Sequence, residues 1–234
     1  ENIPLETIEK AMDWLAKQPN VASDRFGVIG ASRGGELAIL SASLFPRIKA
    51  VVGYTPSGVI WDGIGSGENP AWTYQGKPFS YLRFMEDEDA QRRFQEAQKS
   101  GTPYLDAPAF LYSLKEQQDR IAAATIPVER SKSAFLLIGN PGDGVWPSDV
   151  LSGITIERLK THNHPFRYEL LAYADGGHML ISYPYYPTTL RQFYLPTVGV
   201  WEGLGGTAKG AAKAAEDSWP KVVNFLHREL RTEE

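Results

Sequence analysis

The strongest structural signal in the sequence is a Gly-Ser-Gly turn placed between a strand pattern and a helix pattern. Residues 26–29 are an apolar, β-favouring run, Gly30-Ala-Ser32-Arg-Gly34 follows, and residues 35–45 favour a helix. Glycines on both sides of a serine let the backbone take a strained conformation without Cβ clashes. This arrangement predicts a nucleophile elbow that exposes the Ser32 hydroxyl above the edge of a sheet.

The helix after the elbow has a predicted electrostatic role. Helix N-terminal N–H groups have no partner within the helix, and the positive end of the helix dipole lies there. An oxyanion formed at Ser32 would therefore be stabilised at this point, and the backbone N–H of Arg33 is the expected donor.

Three further apolar runs predict strands at residues 49–54, 134–138 and 167–173. They alternate with helical patterns, which is typical of a parallel, doubly wound sheet flanked by helices in the α/β class. We expect residues 1–234 to form a single catalytic-type domain. The irregular, aromatic-rich residues 57–124 are long for a connection between two core strands and are predicted to be a cap or lid insertion.

Capping residues and prolines set the predicted limits of the helices. Asn2 is expected to cap the first helix, and Ser148 or Asp149 the helix after the third strand. Pro220 lies inside the last helical pattern and is expected to kink or restart it, because proline lacks an N–H and clashes with the preceding turn. Residues 183–201 are predicted to be an aromatic, proline-rich loop.

Three candidate catalytic residues follow three of these strands. Ser32 comes after the first strand, Asp143 after the third and His178 after the fourth. Reactive groups of such sheets gather at the carboxyl ends of the strands, and the chain order Ser…Asp…His is that of α/β-hydrolases. Ser32 is predicted to be the nucleophile, His178 the base that accepts its proton, and Asp143 the acid that orients the imidazole.

Other residues compete for these roles. The acid could also be Asp175, although a short loop would point it away from the base, and Asp143 could be a turn residue beside two glycines. His162 and His164 lie in a polar helix end, where a solvated or carbonyl-capping role is favoured; no acidic or cysteine partner nearby supports a metal site. His227 is expected at the surface. We predict neither a metal nor another cofactor.

Composition narrows the classes of partner. The net charge of −4 argues against nucleic acid as the main ligand. The chain has no cysteine, which excludes a cysteine nucleophile and thiolate metal sites. No apolar run approaches the roughly 18 residues of a membrane span and no signal peptide is visible, so a cytoplasmic location is expected.

Several motifs together resemble one known family. They cover the elbow, the segment around the candidate acid, the base and the chain's last quarter: Gly30-Ala-Ser-Arg-Gly-Gly-Glu-Leu-Ala38, Gly142-Asp-Gly-Val-Trp-Pro-Ser148, Glu157-Arg-Leu-Lys160 with His164-Pro-Phe166, Gly176-Gly-His-Met-Leu180 and Gly206-Thr-Ala-Lys-Gly-Ala-Ala-Lys-Ala-Ala-Glu-Asp-Ser-Trp219. Nearly the whole chain is similar to the C-terminal catalytic domain of the acyl-CoA thioesterase / bile acid-CoA:amino acid N-acyltransferase family.

The resemblance implies an α/β-hydrolase fold, Ser32 as nucleophile, Asp143 as acid and His178 as base. In that family a cysteine nucleophile accompanies transfer to amino acids and a serine accompanies hydrolysis, so Ser32 favours the hydrolase. The implied reaction is cleavage of an acyl thioester or carboxylic ester through an acyl-enzyme. One departure is Gly142, which stands where the family often has a second acidic residue.

The resemblance also implies upstream strands that the chain does not carry. Only a helix precedes the elbow strand, whereas an α/β-hydrolase takes its second oxyanion donor from a loop after an earlier strand. A bare edge of a buried-type strand favours aggregation. We therefore expect a second polypeptide to supply the N-terminal strands and the oxyanion loop.

Two alternative functions remain open at the level of sequence. A non-catalytic binding or scaffold subunit could keep the same residues, and an acyl transferase or peptidase could use the same triad. Coenzyme A would require a basic patch for its phosphates, and Lys160, Arg167 and Lys209 are too scattered in the sequence to define one.

Overall fold

The computed structural model describes residues 1–65, 67–178 and 187–231. The helices are α1 (Glu6–Leu15), α2 (Arg33–Leu44), α3 (Glu88–Ser100), α4 (Ala107–Glu116), α5 (Gln118–Ala124), α6 (Ser148–Thr161) and α7 (Ala208–Glu229), with a 3-10 turn at Val128–Arg130. The strands are β1 (Ile3–Pro4), β2 (Phe26–Ala31), β3 (Ile48–Tyr54), β4 (Trp72–Tyr74), β5 (Lys77–Pro78), β6 (Ala134–Ile138), β7 (Tyr168–Leu171), β8 (Gln192–Leu195) and β9 (Val200–Gly203).

The main sheet has four parallel strands in the order β2-β3-β6-β7. Its register places Val28 beside Val51, Val51 beside Phe135, and Phe135 beside Tyr168. These are the strands that the apolar runs predict, and their parallel pairing requires the intervening helices. The carboxyl ends of all four strands therefore lie at one edge.

Helices cover both faces of this sheet, which explains why its central strands are continuously apolar. Successive residues of β3 point to opposite faces: Val51 belongs to the apolar cluster that includes residues of α1, α2 and α6, whereas Val52 belongs to the cluster that includes residues of α7. Both residues are fully buried. The two cores fix the helices relative to the sheet, and with them the loops at its carboxyl edge.

Residues 57–124, between β3 and β6, contain β4, β5 and helices α3 to α5. Part of this segment forms a third apolar cluster that includes Trp61, Leu82, Leu114 and, from the loop after β6, Trp146. The ring of Phe110 meets both indoles edge-on. The segment is thus packed directly onto the loop that carries Asp143.

The antiparallel hairpin of β8 and β9 lies where a loop is expected. The loop prediction is wrong for residues 192–195 and 200–201, which form strands. Residues 187–191 and 196–199 are loop and turn as predicted, and residues 183–186 lie outside the described part of the chain. The strands carry β-favouring aromatic residues, with Tyr194 opposite Trp201, and Gly199 provides the positive φ of +73° in the turn. The prolines lie outside the paired segments, so they do not prevent the pairing.

The predicted cap of the first helix is wrong, and the predicted restart of the last helix does not occur. Asn2 does not cap α1: it has a φ of +55° and its N–H donates to the Pro70 carbonyl at 2.7 Å. Ile3 and Pro4 pair with β4, so this backbone is extended and α1 begins only after Leu5. The helix α7 continues through Pro220 without restarting. Pro220 has no N–H to donate to the Glu216 carbonyl, but Glu216 is exposed, so water can solvate that carbonyl.

No helix among residues 1–65, 67–178 and 187–231 is long and apolar enough to cross a membrane.

Candidate active site

Ser32 lies at the sharp turn between β2 and α2. Its φ of +54° and ψ of −125° are unusual for a residue with a side chain. The Ser32 N–H donates to the Tyr54 carbonyl of β3 at 2.8 Å, and the Ser32 carbonyl accepts from Gly35 N–H at 2.9 Å. A Cβ at Gly30 would overlap the Gly34 carbonyl and come within 2.8 Å of the Gly35 nitrogen. The observed backbone is thus the strained elbow that the motif predicts.

Asp143 lies in the loop after β6, and its side chain is fully buried. Its Oδ1 accepts hydrogen bonds from the backbone N–H groups of Val145 at 3.0 Å and Trp146 at 3.3 Å. Gly142, the residue before Asp143, has a φ of +82°. A glycine adopts this turn conformation without strain, and the turn directs the next side chain inward.

His178 follows β7 and contacts Asp143 directly. Its ring Nδ1 lies 2.9 Å from both carboxylate oxygens. With the carboxylate accepting from Nδ1–H, the neutral ring keeps Nε2 free to accept a proton. Asp175, the alternative acid, is exposed, and its backbone carbonyl accepts from Thr207 N–H. The structure therefore pairs His178 with Asp143.

Trp146 links this pair to the elbow side of the sheet. Its indole N–H donates to the Thr55 carbonyl at 2.9 Å, and its ring meets the His178 ring at 6.1 Å. Thr55 directly follows Tyr54, which accepts from Ser32 N–H. Within the described chain, no hydrogen bond joins Ser32 to the His178 ring. The structure thus brings two of the three candidates into contact and places the third at the same edge of the sheet.

Asn140 is a buried residue between the two site loops that the sequence does not reveal. It is fully buried, its Nδ2 donates to the Gly177 carbonyl at 2.8 Å, and its Oδ1 accepts from Tyr173 N–H at 3.1 Å. Its own N–H donates to Ser148 Oγ at 3.0 Å. The Asn140 side chain thus joins the loop of Asp143 to the loop of His178. No local sequence pattern predicts this contact.

The capping prediction for α6 is wrong, because the Ser148 hydroxyl bonds Asn140 instead of the helix. Pro147 occupies the N-cap position, and neither Ser148 nor Asp149 caps the helix. The Ser148 hydroxyl is fully buried and is engaged by Asn140 instead. The tertiary contact takes the oxygen that a cap would use.

A buried ion pair fixes the first turn of α2 below the elbow. Glu36 is fully buried, accepts from Arg33 Nη1 at 3.0 Å and accepts from the Trp72 indole N–H at 2.6 Å. Arg33 also donates to the Asp62 carbonyl. Burial raises the pKa of Glu36 to about 6, although the Arg33 charge and the bonded donors oppose the shift. The Arg33 side chain is thus committed to structure, and only its backbone N–H is a candidate for the site.

The remaining histidines lie away from the site. His162 is exposed and its Nδ1 bonds the Arg158 carbonyl, and His227 is exposed, as predicted for both. His164 is buried rather than solvated, with Nε2 at 2.9 Å from the Ser133 carbonyl and Phe135 against its ring. Among the described residues, no group of three or more acidic, histidine or cysteine side chains could hold a metal ion.

Comparison with known proteins agrees with this architecture. The family model described as "BAAT / Acyl-CoA thioester hydrolase C terminal" matches residues 3–232. The chain belongs to this family. The fold of the chain is of the α/β-hydrolase type, as the sequence predicts.

Curated relatives of this chain include two human proteins. Acyl-coenzyme A thioesterase 2, mitochondrial, is 28% identical over 98% of this chain and 44% of its own length. Acyl-coenzyme A thioesterase 1 is 28% identical over 98% of this chain and 50% of its own. The domain thus spans about half the length of these relatives.

Solved structures that are similar to this chain share its fold at low sequence identity. Pyrococcus horikoshii acylaminoacyl peptidase has a TM-score of 0.53 at 12% identity and covers 98% of this chain and 28% of the peptidase. An acylaminoacyl peptidase in complex with Z-Gly-Gly-Phe-chloromethyl ketone has a TM-score of 0.52 at 13% identity, with the same coverage.

Proposed function

We propose that this protein is a serine acyl hydrolase that cleaves an acyl-CoA-type thioester or a carboxylic ester. The observation that carries the proposal is the buried contact of 2.9 Å between His178 Nδ1 and Asp143, at the sheet edge where Ser32 occupies its elbow. Membership of the family supports the acyl thioester as the substrate class.

The proposed reaction has two acyl-transfer steps. Ser32 Oγ attacks the carbonyl carbon while its proton passes to His178 Nε2, and the carbonyl oxygen becomes an oxyanion that accepts from Arg33 N–H. The C–S or C–O bond then breaks, and the leaving group takes the proton from His178. Water, deprotonated by His178, attacks the acyl-enzyme and releases the carboxylic acid and Ser32. Asp143 stabilises the imidazolium formed in each step.

Labelling with a fluorophosphonate tests this proposal directly. We expect intact-mass analysis to show one adduct, located on Ser32 by peptide mapping, and no adduct on the Ser32→Ala variant. Ser100→Ala, which changes an exposed serine at the end of α3, should label as the wild type does. Labelling of Ser32→Ala at the wild-type rate would refute Ser32 as the nucleophile.

The second candidate function, a non-catalytic subunit, predicts a different result. Such a protein would not label with the chain alone or with a sheet-completing partner present. If labelling succeeds, hydrolysis of a panel of acyl-CoA thioesters and p-nitrophenyl esters separates thioesterase from esterase specificity. An amino acid acceptor added to the same assay would reveal transferase activity as N-acyl product.

We also propose that a second polypeptide completes the main sheet. In the described part of the chain, β2 pairs with β3 on one side only, and Ile29 on this strand is 39% exposed. A further strand would pair with the backbone N–H and C=O groups on the open edge of β2, and the loop after it could present the second oxyanion donor. A lone monomer with full activity, established by scattering and mass spectrometry, would contradict this part of the proposal.

A further inference from the structure

Glu202 is a buried acidic residue that the proposed reaction does not use. It lies in β9, is 2% exposed, and pairs across a parallel bridge with Tyr104. Its carboxyl group contacts that of Asp106, the residue before α4. Glu202 is buried and Asp106 is half-buried, so ionising both carboxyl groups while they are in contact is costly.

The backbone that follows Glu202 supports both loops of the candidate site. The Leu204 carbonyl accepts from His178 N–H at 2.6 Å and from Gly144 N–H at 3.2 Å. Gly205 forms an antiparallel bridge with Asp143. The position of β9 therefore sets the position of the acid relative to the base.

Charge around Glu202 is predominantly negative. The titratable groups that interact with Glu202 or Asp106 come from α3, from the segments before α3 and α4, and from the loop after β6: Glu86, Arg93, Tyr104, Asp106 and Asp143. His178 contacts the last of these. Arg93 is the cation of this set and acts on Asp106. Burial, followed by the charges of Asp106 and Asp143, raises the pKa of Glu202 to about 9. Burial and the charge of Glu86 raise the pKa of Asp106 to about 6.

We propose that Glu202 is a positioning residue for the Asp143–His178 pair and acts as an uncharged carboxyl group bonded to Asp106. The inference rests on the proposed function, because it assigns Glu202 to the support of that same site. The protonated form donates to the Asp106 carboxylate and holds β9 against the start of α4. Ionisation would place a second carboxylate against Asp106 and near Asp143, and would weaken the attachment of Leu204 to both loops.

The test compares Glu202→Gln, Asp106→Asn and the wild type as a function of pH. Glutamine keeps the shape and the donated hydrogen bond without the titration. Asparagine at 106 removes the neighbouring charge, so Glu202 should ionise at lower pH. Glu169→Gln, an exposed carboxylate of β7, is the matched control. The readouts are the rate of fluorophosphonate labelling between about pH 7 and 10.5 and the melting temperature between about pH 5 and 9.

We expect the wild-type and Glu169→Gln rates to fall with a midpoint near the Glu202 pKa of about 9. At one pH unit above that value, the rate should be lower by about tenfold. Glu202→Gln should lack this alkaline decline, and Asp106→Asn should shift it to lower pH. An identical decline in all four proteins would overturn the inference.

The melting temperature separates this inference from the proposed function. The folded protein keeps a proton on Glu202 that the unfolded chain releases above its normal pKa, so wild-type stability falls as pH rises towards about 9. The melting temperature of Glu202→Gln relative to the wild type should therefore rise across this range. If no protein labels at any pH, the proposed function fails and this difference still decides the state of Glu202: a constant difference overturns the inference.

Discussion

Single residues at this site show two ways of burying a carboxylate. Asp143 stays beside an imidazole and accepts from two backbone N–H groups. Glu36 faces a guanidinium and an indole N–H instead, and burial raises its pKa to about 6. The first arrangement keeps a negative charge where an imidazolium would form. The second fixes the helix turn beneath Ser32, and each can be tested by an isosteric amide.

The variant Asp143→Asn should lower kcat for an ester substrate by about 10⁴-fold, because the amide cannot hold the correct imidazole tautomer. Steady-state hydrolysis of a p-nitrophenyl ester is the measurement. The control, Asp175→Asn, changes the exposed aspartate of the base loop and should retain at least half of the activity. A small loss in Asp143→Asn would argue against a triad.

The variant Glu36→Gln should change the pH dependence of folding. The folded-state pKa of Glu36 is about 6, above its normal value of 4.5. The stability that protonation of Glu36 contributes to the folded state is therefore fully present below pH 4.5. It is lost as pH rises through about 6.

Between about pH 4 and 7, the wild-type free energy of unfolding should fall by about 2 kcal/mol relative to Glu36→Gln. Urea unfolding at both pH values measures the difference. The exposed Glu96→Gln on α3 should show no such change relative to the wild type, and a flat difference for Glu36→Gln would show that Glu36 is not titrating there.

At the level of secondary-structure elements, the site depends on the close approach of β2 to the start of α2. Gly30 and Gly34 flank the same serine and differ in their surroundings. A Cβ at Gly30 would meet the backbone of the following helical turn, whereas a Cβ at Gly34 would have nothing within 4 Å. The elbow motif therefore contains one glycine required by packing and one that is not.

The substitution Gly30→Ala should destabilise the protein by about 3 kcal/mol or more, since the backbone of the helix cannot yield to the methyl group. Gly34→Ala is its matched control and should be neutral or stabilise by about 0.5–1 kcal/mol, because alanine favours the helix. Chemical unfolding of both variants gives the comparison. Equal costs would show that the elbow backbone differs from the one described.

At the level of the whole molecule, a partner would change the edge of β2 that has no strand partner among the described residues. The helix layers cover the faces of the sheet but do not pair with this edge, and the domain spans about half the length of its human relatives. Unpaired strand edges recruit other strands, so the isolated domain should associate with itself when no partner is present.

A lysine at position 29 should reduce this association, because an edge charge opposes pairing with another strand. We expect Ile29→Lys to lower the average mass measured by light scattering and to weaken binding of a sheet-completing polypeptide. Val150→Lys places the same charge on exposed α6 and should change neither result. Equal association in both variants would locate the contact elsewhere.

The four parallel strands could be predicted from the sequence, because each is a short apolar run that must be buried. The sequence also located the elbow, since the glycine spacing and the adjoining patterns are local. The candidates Ser32, Asp143 and His178 followed from their positions directly after strands. Their chemical roles remain proposals, whereas the fold of the sheet is confirmed.

Tertiary structure alone decided which groups meet. Nothing local in the sequence marks Asn140, Glu36 or Glu202 as buried, because burial depends on segments up to about a hundred residues away, such as Tyr104 beside Glu202. Likewise, His164 looks solvated until Phe135 packs on it. Local patterns fix strands and turns through short-range sterics and hydrophobicity, whereas contacts such as that between His178 and Asp143 exist only once the packed sheet brings distant loops to one edge.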